Sequence, residues 1–401
     1  MSWLSIVGIG EDGIDGLGEA AKIAIANADY VFGGTRHLEL AAPIIMGSLR
    51  PWRSPFAASI DEIVALRGRA VCVLASGDPF HHGVGATLAR DVDASQMCVY
   101  PHPSSFSLAA ARLGWALQDV MTLSLHGRPL DLIRPHLHAG ARILALTSDE
   151  HGPAQLAKLL TEAGFGISIV TVLEALGGPG ETIRSHVAMS FALADINPLN
   201  LCAISVVALP GARVLPLTPG LDDALFEHDG QITKREIRAL TLSALAPRRG
   251  EMLWDIGAGS GSVAIEWMLA DPSLSAIAIE AEPERAARMA RNMIACGVPD
   301  LRIIVDRAPA ALAGLEPPHA IFIGGGGSDP GVLDSAIAAL RPGGRLVANA
   351  VTLELEALLL KQHAALGGSL TRIDVSRAGA VGSMTAWRPA MPITQWVWTR
   401  S

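Results

Sequence analysis

The stretch 253–267 constrains the fold of this chain more than any other. Its sequence is LWDIGAGSGSVAIEW, in which an apolar run reaches Asp255, glycines then alternate with small residues, and an apolar, helix-periodic run follows. Glycine is needed where a chain turns tightly after a strand, or where a ligand approaches the backbone too closely for a β-carbon. The stretch therefore predicts a strand, a glycine turn and a helix, which together open an α/β domain.

An acidic residue at the end of the next predicted strand favours a ligand at this turn. Strand 275–279 is followed by Glu280, about twenty residues beyond the glycines, where a carboxylate accepts hydrogen bonds from a ribose. A tight turn between strand and helix with no ligand is the alternative. The combination of strand, glycines, helix and acid predicts a nucleotide-type cofactor.

The order Asp-x-Gly-x-Gly-x-Gly resembles motif I of the class I S-adenosylmethionine (SAM) methyltransferases, which implies a Rossmann-like fold. In that family Glu280 would hold the ribose hydroxyls and Ala308, just after strand 301–305, would contact adenine. The string ITKREIR resembles the segment before motif I in the carbon-15 methyltransferases of cobalamin synthesis, where its threonine touches SAM. The cofactor-binding residues implied for this half are Thr233, Asp255, Gly257, Ala258, Gly259, Ser260, Gly261, Glu280 and Ala308.

Short loops of small residues also follow three predicted strands in the first half of the chain. Ligands of open α/β sheets bind beyond the carboxyl ends of strands, so these positions suit a ligand. A simple turn after strand 70–75 and helix capping by the two serines after strand 97–100 are the alternatives. The loops are Gly8-Ile9-Gly10, Gly77-Asp78-Pro79 and Ser104-Ser105.

These three loops, in this order, resemble those of the tetrapyrrole methylases, the class III SAM methyltransferases. The resemblance runs over residues 1–205 and implies two α/β subdomains with a SAM-binding cleft between them. The second subdomain would begin near residue 121. The cofactor-binding residues implied for this half are Gly8, Gly10, Gly77, Asp78, Pro79, Gly83, Ser104 and Ser105.

The segment 206–229 interrupts the strand and helix pattern with prolines and glycines, and it is interpreted as a linker. It separates a tetrapyrrole methylase domain at 1–205 from a class I methyltransferase domain at 230–401, whose last predicted strand is 345–350. This fusion resembles the family of decarboxylating precorrin-6B C(5,15)-methyltransferases of cobalamin biosynthesis. The resemblance implies one SAM per domain, methylation of carbon 5 by the first domain, and methylation of carbon 15 with loss of the carbon-12 acetate carboxylate by the second, giving precorrin-8X.

A tetrapyrrole carries many carboxylates, so cationic side chains near each cleft are candidates for binding it. The four glycines at 324–327 clear space for a bulky acceptor or turn backbone N–H groups towards an anion, unless they form only a flexible loop. Solvated surface charge is the alternative for each charged residue. The substrate candidates are Arg36, His37, His81, His82, Lys234, Arg235, Gly325, Gly326 and Asn349.

No side chain is assigned as catalytic, because methyl transfer to a nucleophilic carbon depends chiefly on positioning and on the exclusion of water. Adjacent His81 and His82 have no third ligand at a useful spacing, so no metal site is expected.

Composition narrows the possible partners. The net charge is −8 and neither half of the chain is basic, which counts against binding nucleic acid by bulk electrostatics. An RNA methyltransferase and a non-catalytic SAM-binding scaffold remain as alternatives.

Four widely spaced cysteines suggest reduced thiols and a cytoplasmic location, and the longest apolar region, 199–217, is too interrupted to span a membrane. Related enzymes are oligomeric, so a homo-oligomer is expected.

Overall fold

The structure, a computed structural model, describes residues 2–401 and divides into two compact units. The first unit contains the residues up to Leu130 together with His136–Ala212, and the second contains Asp131–Pro135 and Arg213–Ser401. Each unit has its own buried apolar clusters. The boundary at Ala212 falls inside the segment that the sequence predicts as a linker.

The first part of unit 1 alternates strands with helices. Its elements are β1 (Leu4–Ile9), α1 (Glu19–Ala26), β2 (Tyr30–Gly33), α2 (Thr35–Ala41), β3 (Ser48–Pro51), α3 (Ala57–Ala65), β4 (Val71–Ser76), α4 (Val84–Leu88), β5 (Met97–Tyr100) and α5 (Ser105–Leu113). The five strands form one parallel sheet in the order β3-β2-β4-β1-β5. The almost continuous apolar sequence of β4 fits a strand that is covered on both faces.

The second part of unit 1 forms a mixed sheet. Its elements are β6 (Met121–Ser124), β7 (Arg142–Leu146), α6 (Gly152–Glu162), β8 (Ile169–Glu174), β9 (Thr182–Val187) and β10 (Asn200–Ser205). The strand order is β6-β7-β10-β8-β9, in which β6 and β7 are parallel and the other pairs are antiparallel. The two α/β subdomains expected from the sequence are therefore present.

Unit 2 is built on a seven-stranded sheet. Its elements are α7 (Arg235–Leu245), β11 (Met252–Ile256), α8 (Ser262–Leu269), β12 (Ser275–Glu280), α9 (Pro283–Ala295), β13 (Arg302–Val305), β14 (Ala320–Ile323), α10 (Val332–Ala339), β15 (Arg345–Ala350), α11 (Leu353–Leu366), β16 (Ser369–Ile373), β17 (Ser376–Val381), β18 (Met384–Pro389) and β19 (Ile393–Thr399). The order β13-β12-β11-β14-β15-β19-β16 places β11 between β12 and β14. The chain therefore changes direction across the sheet at β11, where open α/β sheets bind ligands.

One expectation about local structure is wrong. The strand at 345–350 is not the last, because β19 pairs antiparallel with β15, β16 pairs with β19, and β17 and β18 form a separate two-stranded sheet. Thr233 and Glu236 have capping-box spacing, yet α7 begins at Arg235 after Lys234, and no side chain caps it. The segment before α7 is held by other contacts, described below.

Candidate functional site

A cavity of about 800 Å³ opens in unit 2 beyond the carboxyl ends of β11, β12 and β14. Ile256, Ile279 and Phe322 give its inner wall apolar surface. This is the position at which the strand order predicts a ligand. The sequence-predicted residues that line the cavity are Thr233, Lys234, Gly257, Ala258, Gly259, Glu280, Ala308, Gly325, Gly326 and Asn349.

The glycines of the turn after β11 serve different purposes. A β-carbon on Gly257 would lie 2.3 Å from the carbonyl oxygen of Gly325, and one on Gly261 would lie 2.4 Å from Met289 Cγ. Gly259 has a φ of +58°, but a β-carbon there would meet only the carbonyl oxygen of Gln231, at 3.6 Å. Packing therefore requires the outer two glycines, whereas Gly259 faces open space in the cavity wall.

Glu280, at the end of β12, holds this turn. It is only 5% exposed; its Oε2 accepts a hydrogen bond of 2.8 Å from Gly259 N, and its Oε1 accepts one of 2.9 Å from Glu282 N. Each carboxylate oxygen has a second lone pair, so Glu280 retains the capacity to accept a hydroxyl from a ligand.

Asp255, Ser260 and Gly261 do not line the cavity. Asp255 Oδ2 accepts a hydrogen bond of 3.1 Å from Ala264 N in the first turn of α8, while its Oδ1 is buried without a partner. Burial raises the pKa of Asp255 to about 7, and the nearby Glu280 carboxylate adds to the rise. Asp255 therefore supports the helix behind the turn.

Every cationic side chain that lines the cavity is paired with a carboxylate. The pairs are Lys234 with Asp223 at 3.9 Å, Arg285 with Asp229 at 2.9 Å, Arg307 with Asp329 at 3.6 Å, and Arg377 with Glu236. Such partly exposed pairs contribute little in water, so a ligand with several carboxylates competes for the cations at low cost. Arg235, which the sequence predicts beside Lys234, is exposed and does not line the cavity.

A buried group of three polar side chains lies behind Asn349. Asn349 Nδ2 donates to Thr241 Oγ1 over 2.9 Å, and Gln395 Nε2 donates to Asn349 Oδ1 over 2.9 Å. All three residues are less than 10% exposed, and Asn349 alone among them lines the cavity. These bonds set the orientation of its amide.

In unit 1, two smaller cavities of about 240 and 60 Å³ share Ser76, Ser105 and Leu146. Ser76 ends β4 and Leu146 ends β7, so the cavities lie between the two sheets of this unit. The sequence-predicted residues that line them are Gly10, Arg36, His37, Gly77, His81, His82, Gly83, Ser104 and Ser105. The remaining three, Gly8, Asp78 and Pro79, lie outside the lining.

Those remaining residues shape the loops around the cavities. A β-carbon on Gly8 would lie 1.9 Å from the carbonyl oxygen of Gly77, so β1 and the loop after β4 are in backbone contact. Asp78 Oδ1 accepts a hydrogen bond of 2.9 Å from Phe80 N and thereby closes the turn. Ser104 caps α5 by accepting from Ser107 N, which confirms the capping interpretation for this serine.

Arg36, His37 and His82 are not free cations. Arg36 pairs with Glu11 and lies 3.2 Å from Ser76 Oγ. Burial, together with the Arg36 charge, lowers the pKa of His37 to about 4, and burial also lowers the pKa of His82. His37 therefore enters the cavity uncharged, and its contact with a carboxylate would be a hydrogen bond rather than an ion pair.

Within residues 2–401, no group of three or more His, Cys, Asp and Glu side chains is arranged to hold a metal ion. The same part of the chain contains no helix with the length and apolar character needed to cross a membrane. Its four cysteines are free, and Cys72, Cys202 and Cys296 are buried.

Comparisons with known proteins match both halves of the chain. Residues 4–189 match the tetrapyrrole (corrin/porphyrin) methylase family, and residues 224–400 match the precorrin methyltransferase domain. A decarboxylating precorrin-6Y C(5,15)-methyltransferase of Sinorhizobium is 64% identical over 398 residues, which cover 99% of this chain and 96% of that protein. The chain belongs to the decarboxylating precorrin-6Y C(5,15)-methyltransferase family.

Family membership confirms the predicted enzyme class, a methyltransferase of tetrapyrroles, and the predicted tetrapyrrole methylase fold at the N-terminus. Two shorter relatives each match less than half of the chain. A probable decarboxylating cobalt-precorrin-6B C(15)-methyltransferase of Pyrobaculum calidifontis is 36% identical over 44% of this chain and 95% of its own length. A cobalt-precorrin-7 C(5)-methyltransferase of Salmonella typhimurium is 30% identical over 45% of this chain and 89% of its own length.

Methyltransferases of this family use SAM, and the unit 2 cavity suits it. Gly259 leaves the cavity wall open where a β-carbon would project, and Glu280 offers buried acceptors beside it. The sequence did not reveal several lining residues, including Gln231, Arg285, Arg377 and Met391. Arg377 and Met391 follow the last predicted strand, in a region with no clear apolar periodicity.

Proposed function

We propose that this enzyme methylates precorrin-6B (precorrin-6Y) at carbons 5 and 15 and removes the carboxylate of the carbon-12 acetate, giving precorrin-8X. Unit 1 methylates carbon 5, while unit 2 methylates carbon 15 and carries out the decarboxylation. Each unit binds one SAM. The domain limits 1–205 and 230–401 belong to the same proposal.

The observation that carries this proposal is the presence of a separate cavity in each unit, at strand ends that bear glycine loops. Two family models match the two halves independently. The shorter relatives support the division of labour, because one is named for carbon 15 with decarboxylation and the other for carbon 5.

In unit 2, SAM would supply an activated methyl group. Glu280 accepts hydrogen bonds from the ribose hydroxyls through its free lone pairs, while its bond to Gly259 N holds the turn in place. The apolar side chains of Ile256, Ile279 and Phe322 exclude water from the reacting carbon, so that positioning supplies most of the rate.

The acceptor enters beside Gly325, Gly326 and Asn349. The two glycines leave room for a macrocycle, and the fixed amide of Asn349 offers a hydrogen bond to a carboxylate. Lys234 orients other carboxylates of the ring. In the decarboxylation, the bond to the acetate carboxylate breaks, its electron pair passes into the conjugated ring, carbon dioxide leaves, and a proton later adds to the carbon.

In unit 1, the loops at Gly10, Gly77, Gly83 and Ser105 hold the second SAM, and Arg36 with the histidines His37, His81 and His82 faces the acceptor. The rings of His81 and His82 stack with their centroids 5.1 Å apart, and the His81 ring packs at a tilt against Phe106 with their centroids 4.8 Å apart. This surface suits a flat conjugated ring as well as its carboxylates.

The test is product mass after incubation of the full chain with SAM and precorrin-6B. The wild-type protein should add two methyl groups and lose carbon dioxide. Ser105→Arg, which fills both unit 1 cavities, should stop only one methylation. Gly259→Arg, which fills the unit 2 cavity, should stop the other methylation together with the loss of carbon dioxide.

Other outcomes would reject parts of the proposal. No change in mass despite SAM binding would remove the precorrin assignment and turn attention to RNA substrates. One SAM per chain, with one variant lacking any effect, would leave one unit as a scaffold. If Gly259→Arg spared the decarboxylation, the assignment of that step to unit 2 would be wrong.

We further propose that the enzyme is a cytoplasmic homo-oligomer that binds neither nucleic acid nor membrane. The oligomer is expected from related enzymes, and free cysteines suit a reducing compartment. Sedimentation equilibrium of the full chain tests the oligomer, and a single species at the mass of one chain would contradict it.

A further inference from the structure

The segment 220–234, called here the strap, forms one wall of the unit 2 cavity. Its residues from Gly230 to Lys234 line the cavity, and the carbonyl oxygen of Gln231 faces Gly259 across the wall. The strap has almost no regular secondary structure, with only a short 3-10 helix at Asp223–Leu225. Its shape must therefore be held by side chains from the helices around it.

Arg238 on α7 holds the strap at two points. Its side chain is fully buried, and its guanidinium donates to the carbonyl oxygens of Leu221 and Thr233. It also donates to Glu266 on α8 and, over 3.1 Å, to Asp223. One rigid group thus connects both ends of the strap with two helices.

Glu266 completes this arrangement. Its Oε2 accepts a hydrogen bond of 2.6 Å from Gly220 N, and its Oε1 accepts one of 3.0 Å from Leu221 N. Glu266 and Arg238 therefore neutralise each other's charge. Glu266 accepts hydrogen bonds from N–H groups of the strap, whereas Arg238 donates to its carbonyl oxygens. Only the planar fork of arginine reaches several acceptors in this way; a lysine ammonium is a single point.

Asn292 on α9 holds the middle of the strap and joins it to the glycine turn. Its Oδ1 accepts from Glu227 N over 2.7 Å, and its Nδ2 donates to Glu227 O and to Ser260 O, both over 2.9 Å. The side chain is 2% exposed. One buried amide therefore fixes the distance between the strap and the turn that follows β11.

We infer that Arg238 and Asn292 are positioning residues for the cofactor, because they hold the strap in its binding shape before any ligand arrives. Neither residue lines the cavity, so each acts through the backbone atoms that do. Preorganisation of this kind improves affinity by removing the cost of ordering a loop on binding. The inference rests on the proposed binding of SAM in unit 2.

The test compares Arg238→Lys and Asn292→Leu with Arg345→Lys in the full chain carrying Ser105→Arg, which leaves only the unit 2 site. Arg345 is a matched control, since it is also buried and donates to Glu251 and to the carbonyl oxygens of Leu245 and Ala246, yet it lies outside the cavity lining. SAM affinity is measured by calorimetric titration well below the thermal midpoint of each variant.

Arg238→Lys and Asn292→Leu should each weaken SAM binding by about tenfold, which corresponds to the loss of one strong hydrogen bond of the strap. Arg345→Lys should lower the thermal midpoint about as much as those two variants do. Its SAM affinity should stay within about twofold of that of the parent protein carrying Ser105→Arg alone. Equal weakening in all three variants, or unchanged affinity in the first two, would overturn the inference. Absence of SAM binding in the parent would instead reject the proposed function.

Hydrogen exchange without SAM tests the positioning role independently. The amides of Leu221 and Glu227 should exchange faster in Arg238→Lys and Asn292→Leu, respectively, than in the wild-type protein. Arg345→Lys should leave both amides unchanged. Exchange as slow as in the wild-type protein would overturn the inference whether or not SAM binds.

Discussion

The Glu280 carboxylate accepts a hydrogen bond from the backbone N–H of Gly259 over 2.8 Å, so the acid after β12 directly supports the glycine turn after β11. Glu280, which the sequence predicts to bind the ribose, therefore also stabilises the backbone of the turn. Both of its oxygens are used, since Glu282 N donates to Oε1. Loss of this side chain should affect the fold as well as the cofactor.

Glu280→Ala leaves two backbone N–H groups in the cavity wall without their acceptors. The free energy of unfolding should fall by roughly 2 kcal/mol, because each of the two lost hydrogen bonds contributes about 0.5–1.5 kcal/mol. SAM affinity in unit 2 should fall as well. Urea unfolding and calorimetric titration measure the two effects, with Glu284→Gln, whose side chain is exposed and lies outside the cavity lining, as the control. An Ala variant as stable as the control would contradict this role.

The pH dependence of stability should reveal Asp255. Its pKa rises from the ordinary value of 3.8 to about 7 on folding, so the folded protein holds the proton more tightly than the unfolded chain. Its contribution to stability is therefore greatest below about pH 4 and is lost as the pH rises to about 7.

Asp255→Asn keeps an oxygen for Ala264 N and removes the titration. The variant should gain stability relative to the wild-type protein, on the order of a few kcal/mol, as the pH rises from about 4 to 7. Asp229→Asn should show the opposite sign in a lower pH range and lose stability relative to the wild-type protein as the pH rises towards about 4, because Arg285 and Arg288 hold the pKa of Asp229 below its ordinary value of 3.8. Urea unfolding from about pH 2 to 7 measures both effects, and parallel curves for Asp255→Asn and the wild-type protein would refute the assignment.

Gly8→Ala should destabilise unit 1, because the new methyl group would meet the carbonyl oxygen of Gly77, 1.9 Å away. Overpacking of this kind typically costs about 1–3 kcal/mol. Gly180→Ala is the control, since the nearest atom to its β-carbon would be Ala175 Cβ at 3.8 Å. Thermal unfolding distinguishes them, and equal midpoints for the two variants would contradict the close contact.

Thr241 and Asn349 should be energetically coupled. Thr241→Val and Asn349→Leu each remove one side of a buried hydrogen bond, so the double variant should lose less stability than the sum of the singles, by about 1 kcal/mol. Asn349→Leu combined with Gly180→Ala, in the other unit, should be additive. Additive effects in the first pair would show that the hydrogen bond contributes nothing.

The strands and turns with the strongest local patterns were predictable. The bounds of β5 and β15 agree with the sequence interpretation. Apolar runs bounded by glycine or acidic residues identify such elements without knowledge of their neighbours. By contrast, β17 and β18 are mostly exposed and pair only with each other, so no apolar pattern indicates them.

The predicted site was recovered in part for a similar reason. Glycines such as Gly257 were recognisable because glycine is the residue type that tolerates unusual backbone geometry, so the residue type alone indicates such a position. The cavity wall at Gln231 was not, because it depends on Arg238 and Asn292, which lie on separate helices. The segment interpreted as a linker, 206–229, includes backbone that these two side chains hold at Leu221 and Glu227, although the cavity lining itself begins at Gly230.

The sequence by itself predicted two α/β domains in a set order, because strand periodicity and glycine turns are local properties of the chain, and the resemblance of its ordered motifs to those of SAM methyltransferases implied their activity. Only the tertiary structure decided that Asp255 is buried with a raised pKa, that His37 is uncharged, and that Glu280 supports Gly259. Each of these depends on desolvation, charge or hydrogen bonds supplied by groups distant in sequence. These groups come close to Asp255, His37 and Gly259 only when the chain has folded.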